Sequence, residues 1–332
     1  KAYWNDGSQL VPPHDKNVML EVEKINGVED VKWTGGDNLI TSLGARLLIY
    51  RGSLKNNMCH LYTHLENADM VITVSNLTRN IVIEKLPLLI QSHKIDFVIA
   101  NGENSAGGYG ITQAICEDLF KCGVDVITSG NHIWDQKETI DFIREENRLL
   151  RPWNWGEGTP GNGFYIYEKK GFKVGVMNLM GNVYMKKTDD VFPFIEEKMK
   201  TIRLKKEVDF LLVDIHAEIT SEKQAMGYFL DGTATLVVGT HTHTPTLDFR
   251  VLENGTAYQT DAGMCGDYNS IIGMDRDIAL QRFFKHERGE RLVPSNKVAT
   301  ISGIRVVADE QTGLAKEIEP IIIGGNLTKK FN

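Results

Sequence analysis

From about Ile95 the chain keeps repeating one arrangement: a short apolar run, a polar loop, then a stretch with helical spacing. "DFVIANGEN" reads as a buried strand entering a loop, and "ITQAICEDLF" follows with Ile111, Ile115 and Leu119 on one helical face. "VDVITSGNH" is a second such strand, and "KETIDFIREE" a second helical pattern. "FKVGVMNL", "VDFLLVDIHAE", "SEKQAMGYFL" and "ATLVVGTHTH" continue the rhythm. Strand, loop and helix in alternation predict an α/β layered domain with a substantial parallel component. Towards the end, "AYQTDAGM", "VATISGIRVVAD" and "LAKEIEPIII" read as antiparallel strands. The first seventy residues do not share this rhythm, and "NDGSQLVPPHDKN" is rich in turn formers. Residues 1–67 are expected to be an appended segment of unclear fold and without chemistry.

A chain of 332 residues can bury a large core in one or two domains. A net charge of -7 without a long basic run argues against duplex binding by charge. No apolar stretch is long enough to span a bilayer, and no signal-peptide pattern is visible. Cys59, Cys116, Cys122 and Cys265 form neither a C-x-x-C pair nor a dense framework. They read as free thiols of a reducing compartment, which makes a cytoplasmic location the expectation.

In parallel α/β sheets function collects beyond the carboxyl ends of the strands. Four of these ends carry metal-type residues: Glu103 with Asn104, Asn131 with His132, His216 with Asp214 and Glu218 nearby, and His241 with His243. A lone histidine after a strand is commonplace; four such ends on one side of one sheet are hard to obtain by chance. Imidazole together with carboxylate or carboxamide oxygen suits Mn²⁺, Fe²⁺ or Zn²⁺. Two such ions roughly 3.5–4 Å apart can clamp a phosphate and generate a hydroxide. Glu103 is the natural bridge between them. His241 and His243, two residues apart in "VVGTHTHTP", can reach a different ion each.

"NGEN", "GNHIWD", "RPWNWGEGTPG", "HAEITSEK", "DGTATLVVGTHTHTPT", "TDAGMCG" and "IIGMD" together closely resemble the YmdB-type metallophosphoesterases of the calcineurin-like superfamily. The resemblance runs from about Ala68 to the C-terminus and agrees in motif order and spacing. It implies a β-sandwich flanked by helices over residues 68–332. It also implies a phosphodiesterase that carries two divalent ions (Fe, Mn or Zn) and hydrolyses phosphodiesters, 2′,3′-cyclic nucleotides above all. RNA ends are a further source of such bonds. A homo-oligomer with no membrane partner is expected.

Carried over by position, the resemblance makes Glu103 the bridging ligand. Asn131, His216 and His241 become the other ligands of one ion, and His243 a ligand of the second. Asn104 matches a further active-site asparagine of the metal site. His132 resembles the histidine that positions phosphate and protonates the leaving oxygen, which fits its place beside a ligand. Asp135 could orient it, with a helix N-cap as the expected role.

One departure stands out. The family opens with a strand ending in "GD-x-x-G", whose Asp is the first ligand of one metal. Aligned without gaps, that position falls on Ile72; a small gap places it on Ser75 or Asn76. "GGDN" at Asp37 lies far upstream. The second ion is therefore expected to be held weakly, and a metal-binding regulatory protein with impaired catalysis is the alternative reading. Trp153 and Trp155, in the Gly- and Pro-rich loop from Arg151 to Gly161, are candidate substrate residues that could stack on a base.

Overall fold

A computed structural model of the chain describes residues 68–75, 79–284 and 290–327. The expectations for residues 1–67, with Asp37, and for Asn76 lie outside the described residues.

Two sheets form a sandwich. In the first, β1 (Ala68–Ser75), β2 (Ile95–Asn104) and β3 (Val126–Thr128) run parallel. β10 (Ile301–Ala308) and β11 (Ala315–Ile323) extend it antiparallel beyond β1. The second contains β4 (Phe164–Lys169), β5 (Phe172–Met180), β6 (Phe210–His216), β7 (Leu236–Thr240), β8 (Arg250–Val251) and β9 (Ala257–Gln259). Its order is β4-β5-β6-β7-β9-β8, with β5, β6, β7 and β9 parallel. The parallel component is thus present in both sheets. β9 departs from the antiparallel expectation: it runs parallel to β7 and antiparallel only to the two-residue β8. A run as short as "AYQ" carries no mark of strand direction.

Alternation along each strand explains why the apolar runs are continuous. Phe97 and Ile99 of β2 join Val174, Val176, Phe210, Leu212, Leu236, Val238, Ile304 and Val306 in a core between the sheets. Val98 and Ala100 point the other way, into a core with α1 (Arg79–His93) and α2 (Gln113–Lys121). On the far side of the second sheet, Leu211, Val213, Ile215 and Val237 pack under α4 (Val191–Met199) and α5 (Thr220–Phe229). Both faces of each central strand are buried, so no polar alternation survives in the sequence. This is the helix-flanked sandwich that the resemblance implies.

Two local expectations change. Ile111 precedes α2 instead of lying on it, because Thr112 is the N-cap and its hydroxyl accepts from Ile115 N at 3.3 Å. "KETIDFIREE" forms only the four-residue α3 (Thr139–Phe142), since the chain soon turns to lay Leu149 and Leu150 alongside Ile127. α6 (Arg276–Phe284) completes the helices among the described residues. No helix among the described residues is long and apolar enough to cross a membrane.

Candidate metal centre

The carboxyl ends of β2, β3, β6 and β7 meet at one edge of the sandwich, two strands from each sheet and not on one sheet as the sequence suggests, because the apolar runs of the two packed sheets read alike. A buried polar network ties them together. Asp214 of β6 accepts from Thr128 Oγ1 (2.6 Å), Asn101 Nδ2 (2.9 Å) and Thr240 Oγ1 (2.7 Å), which belong to β3, β2 and β7. Burial pushes the Asp214 carboxyl up, while the His216 ring and these donors act against it. The network also sets a histidine. Thr240 Oγ1 gives its proton to Asp214, so it accepts from His216 Nδ1 at 2.9 Å. In the neutral ring Nε2 of His216 is then left with a lone pair.

That lone pair faces other electron-rich atoms. Around His216 Nε2 lie Asn131 Oδ1 at 3.0 Å, Glu103 Oε1 at 3.1 Å and His241 Nδ1 at 3.1 Å. Behind the ring, His241 Nε2 lies 3.0 Å from Glu218 Oε2 as an ion-pair contact, and Nδ1 faces His216. Burial first, and then the neighbouring His216 ring, lower the His241 pKa to about 4 against the opposing pull of Glu103. Burial acts to raise the Glu103 pKa, but the His216 ring, the His132 charge and the His132 backbone N–H bring it to about 2. A single proton on Nε2 can serve one of these acceptors. A divalent cation serves all four, and Glu103, His216 and His241 have the donor types and closeness for one.

Glu103 has two oxygens, and they face different partners. Oε1 lies in the cluster just described and also accepts from His132 N at 2.9 Å. Oε2 receives Asn104 Nδ2 at 3.4 Å, and the same amide meets His243 Nε2 at 3.0 Å. His243 Nδ1 donates to the Ile272 carbonyl at 2.9 Å, so Nε2 carries the lone pair that meets the Asn104 amide. Glu103, Asn104 and His243 thus make a second group that shares its carboxylate with the first.

Close backbone approach makes this possible. A Cβ on Gly130 would fall 2.2 Å from His216 Nε2, so only glycine fits in "GNH". A Cβ on Gly239 would fall 1.8 Å from the Thr260 carbonyl. His241 and His243 hold positive φ values of 104° and 65°, strained for residues with a β-carbon.

Residues 71–321 match the family described as YmdB-like protein. The chain belongs to the YmdB-like family. It is 43% identical over 245 residues to a 2′,3′-cyclic-nucleotide 2′-phosphodiesterase of Bacillus subtilis (strain 168), covering 74% of this chain and 92% of that one. Among solved structures, a hypothetical protein from Thermus thermophilus superposes with a TM-score of 0.71 at 35% identity, covering 78% of this chain and 99% of the other. A structure titled as a novel phosphatase of Mycoplasma pneumoniae gives a TM-score of 0.71 at 32% identity, with coverage of 78% and 92%.

Within this YmdB-like chain, the structure brings together Glu103, Asn104, Asn131, His132, His216, His241 and His243. It does not bring Trp153 to them. That ring stacks on Phe164 at 5.2 Å, meets Phe194 edge-on at 5.5 Å and has Lys198 Nζ 5.1 Å above it, in the core behind the second sheet. The expected stacking role for Trp153 is therefore corrected to packing. Trp155 meets Trp134 edge to face at 5.9 Å and packs against the core beneath the first sheet. Asp135 is also corrected: the N-cap of α3 is Glu138, and Asp135 instead bonds His132 Nδ1 at 2.6 Å.

β1 of this chain carries no carboxylate in its second half. Its register sets Ile72 opposite Ala100 and Ser75 opposite Asn104. Several functional partners were not legible in the sequence. Asn101, Thr128 and Thr240 look like ordinary strand residues until their partners are known. Lys186 is another: its Nζ donates to the Asn131 carbonyl at 2.5 Å and lies 3.7 Å from Asp135 Oδ1. The one available signal was Asp214, a charge inside the apolar run "LLVDIH".

Proposed function

We propose that this chain is a two-metal phosphodiesterase acting on 2′,3′-cyclic nucleotides. The observation that carries the proposal is the convergence of Glu103 Oε1, Asn131 Oδ1 and His241 Nδ1 on His216 Nε2, with His132 fastened to the same Glu103. The activity of the Bacillus subtilis relative supports the choice of substrate. Glu103, Asn131, His216 and His241 would hold one ion, and Glu103, Asn104 and His243 the other. Bound divalent ions supply Lewis acidity: they offset phosphate charge and make a water more acidic.

The chain's own residues provide the remainder. Hydrolysis joins a water oxygen to phosphorus and breaks one ribose P–O bond. The departing ribose oxygen needs a proton, and His132 is placed to give it from Nε2. Asp135 holds Nδ1–H and stabilises the charged ring before transfer. Tyr109 meets the imidazole edge to face at 5.2 Å and limits its rotation.

One observation favours a second reading, a regulatory metal-binding protein with slow hydrolysis: the lack of a carboxylate in the second half of β1. Metal analysis combined with turnover of 2′,3′-cyclic AMP separates the two. About two ions per chain with multiple turnover supports the enzyme; a single ion without turnover supports the regulatory protein; no ion at all removes both.

A further inference from the structure

Lys223 of α5 and Asp261, just beyond β9, form an ion pair of 2.7 Å with both side chains only 1% exposed. Burying two charges costs desolvation that their attraction only partly offsets, so such a pair is a poor source of stability by itself. Its geometry suggests another use. Asp261 Oδ2, the oxygen that receives Lys223, also accepts Thr242 N at 3.1 Å and Thr242 Oγ1 at 2.8 Å. Asp261 Oδ1 accepts Gly263 N at 2.9 Å, which completes the carboxylate. Thr242 is the residue between His241 and His243.

The two flanking histidines both occupy positive φ, a conformation that relaxes unless neighbours hold it. Thr242 is grasped at its backbone and its hydroxyl together, so its position and orientation are both set. The segment below is equally close. Ala262 N donates to the Gly239 carbonyl at 3.0 Å, and the Lys223 stem passes where a Cβ of Gly239 would stand.

We propose that Lys223 and Asp261 are positioning residues. Through Thr242 they hold His241 towards one ion and His243 towards the other, so one buried charge pair sets both halves of the centre. This rests on the two-metal reading above. Lys223 anchors the buried Asp261 carboxylate by the 2.7 Å ion pair, and Asp261 transmits that anchorage to the loop. Loss of either should loosen both histidines at once.

The test compares Mn²⁺ affinity with the thermal stability of metal-free protein. Asp261→Asn and Lys223→Met should each weaken Mn²⁺ binding about 10- to 100-fold, the range typical of partners behind metal ligands. The double variant Lys223→Met/Asp261→Leu replaces the pair with apolar groups. It should recover metal-free stability but not Mn²⁺ affinity. Thr242→Val covers the case in which the charge variants fail to fold. It removes one of the two bonds to Asp261, and should weaken Mn²⁺ with metal-free Tm near that of wild type. Wild-type Mn²⁺ affinity in the variants, or recovery of both properties in the double variant, overturns the proposal while the two-metal reading survives. Wild-type protein that takes up no Mn²⁺ removes the two-metal reading and this proposal with it.

Discussion

His132 Nδ1 lies 2.6 Å from Asp135 Oδ2, three residues along the same loop, while the His132 backbone N–H is fixed on Glu103. The ring that would protonate the leaving oxygen is thereby tied to Glu103, the proposed metal ligand, while its own nitrogens stay outside the proposed ligand set. His132→Ala should therefore keep its metals and lose turnover by about 10²–10⁴-fold. The loss should be greatest on substrates with a poor leaving group. Activity within a few-fold of wild type on such a substrate would end the assignment, and loss of metal would make His132 structural.

Asp135→Asn tests the other half of the pair. The amide oxygen can still accept from Nδ1–H, but the charge that favours the imidazolium is gone. Hydrogen bonds to charged groups contribute about 1.5–3 kcal/mol. With side chains 28% and 33% exposed, the lower end applies. That corresponds to about a tenfold fall in kcat. Metal content and KM should not move, and a change confined to KM would contradict the role.

Gly130→Ala should be far more damaging than its size suggests. The added methyl would stand 2.2 Å from His216 Nε2, so the ring or the Gly130–Asn131 backbone must shift. Either movement separates two ligands of the same ion. We expect loss of tightly bound metal, read by elemental analysis, in a protein that still unfolds cooperatively. Full metal content in this variant would mean that His216 is not held where the ion binds.

Trp153→Ala should act on stability, not on substrate. Phe164 and Phe194 already occupy the ring's surroundings. Removing a large packed aromatic costs about 3 kcal/mol, and KM for a cyclic nucleotide should stay unchanged in the folded fraction. A raised KM with an unchanged unfolding midpoint would restore the stacking role.

The tryptophans show where sequence reading ran out. An aromatic that walls a pocket and one that fills a core look alike until their neighbours are known, and those of Trp153 lie on β4 and α4 while Trp155 meets Trp134. The same holds for Asp214, whose donors come from three other strands, and for Lys223 with Asp261, 38 residues apart. Glu103, Asn131, His216, His241 and His243 were legible for a simple reason. A polar residue closing an apolar strand breaks the pattern locally, and the parallel strands of the two packed sheets bring such ends to one edge of the sandwich.

For the second ion of the proposed pair the described residues offer Glu103, Asn104 and His243. Carboxylate is the favoured ligand type for hard divalent ions, and this half of the centre has only the shared Glu103. Wild-type protein should therefore bind Mn²⁺ in two separable steps, with activity rising as Mn²⁺ is raised well above stoichiometry. A carboxylate added at the end of β1 should tighten the weaker step. The parallel register sets Ser75 opposite Asn104, whereas Ile72 lies opposite Ala100, three residues short of Glu103. Ser75→Asp should then strengthen weak-site binding more than Ile72→Asp does. The reverse order would favour the ungapped alignment and a different use of β1. Asp37→Ala should leave both steps unchanged. If it abolishes one of them, the upstream segment supplies the missing carboxylate, and residues 1–67 are part of the catalytic centre instead of an appendage to it.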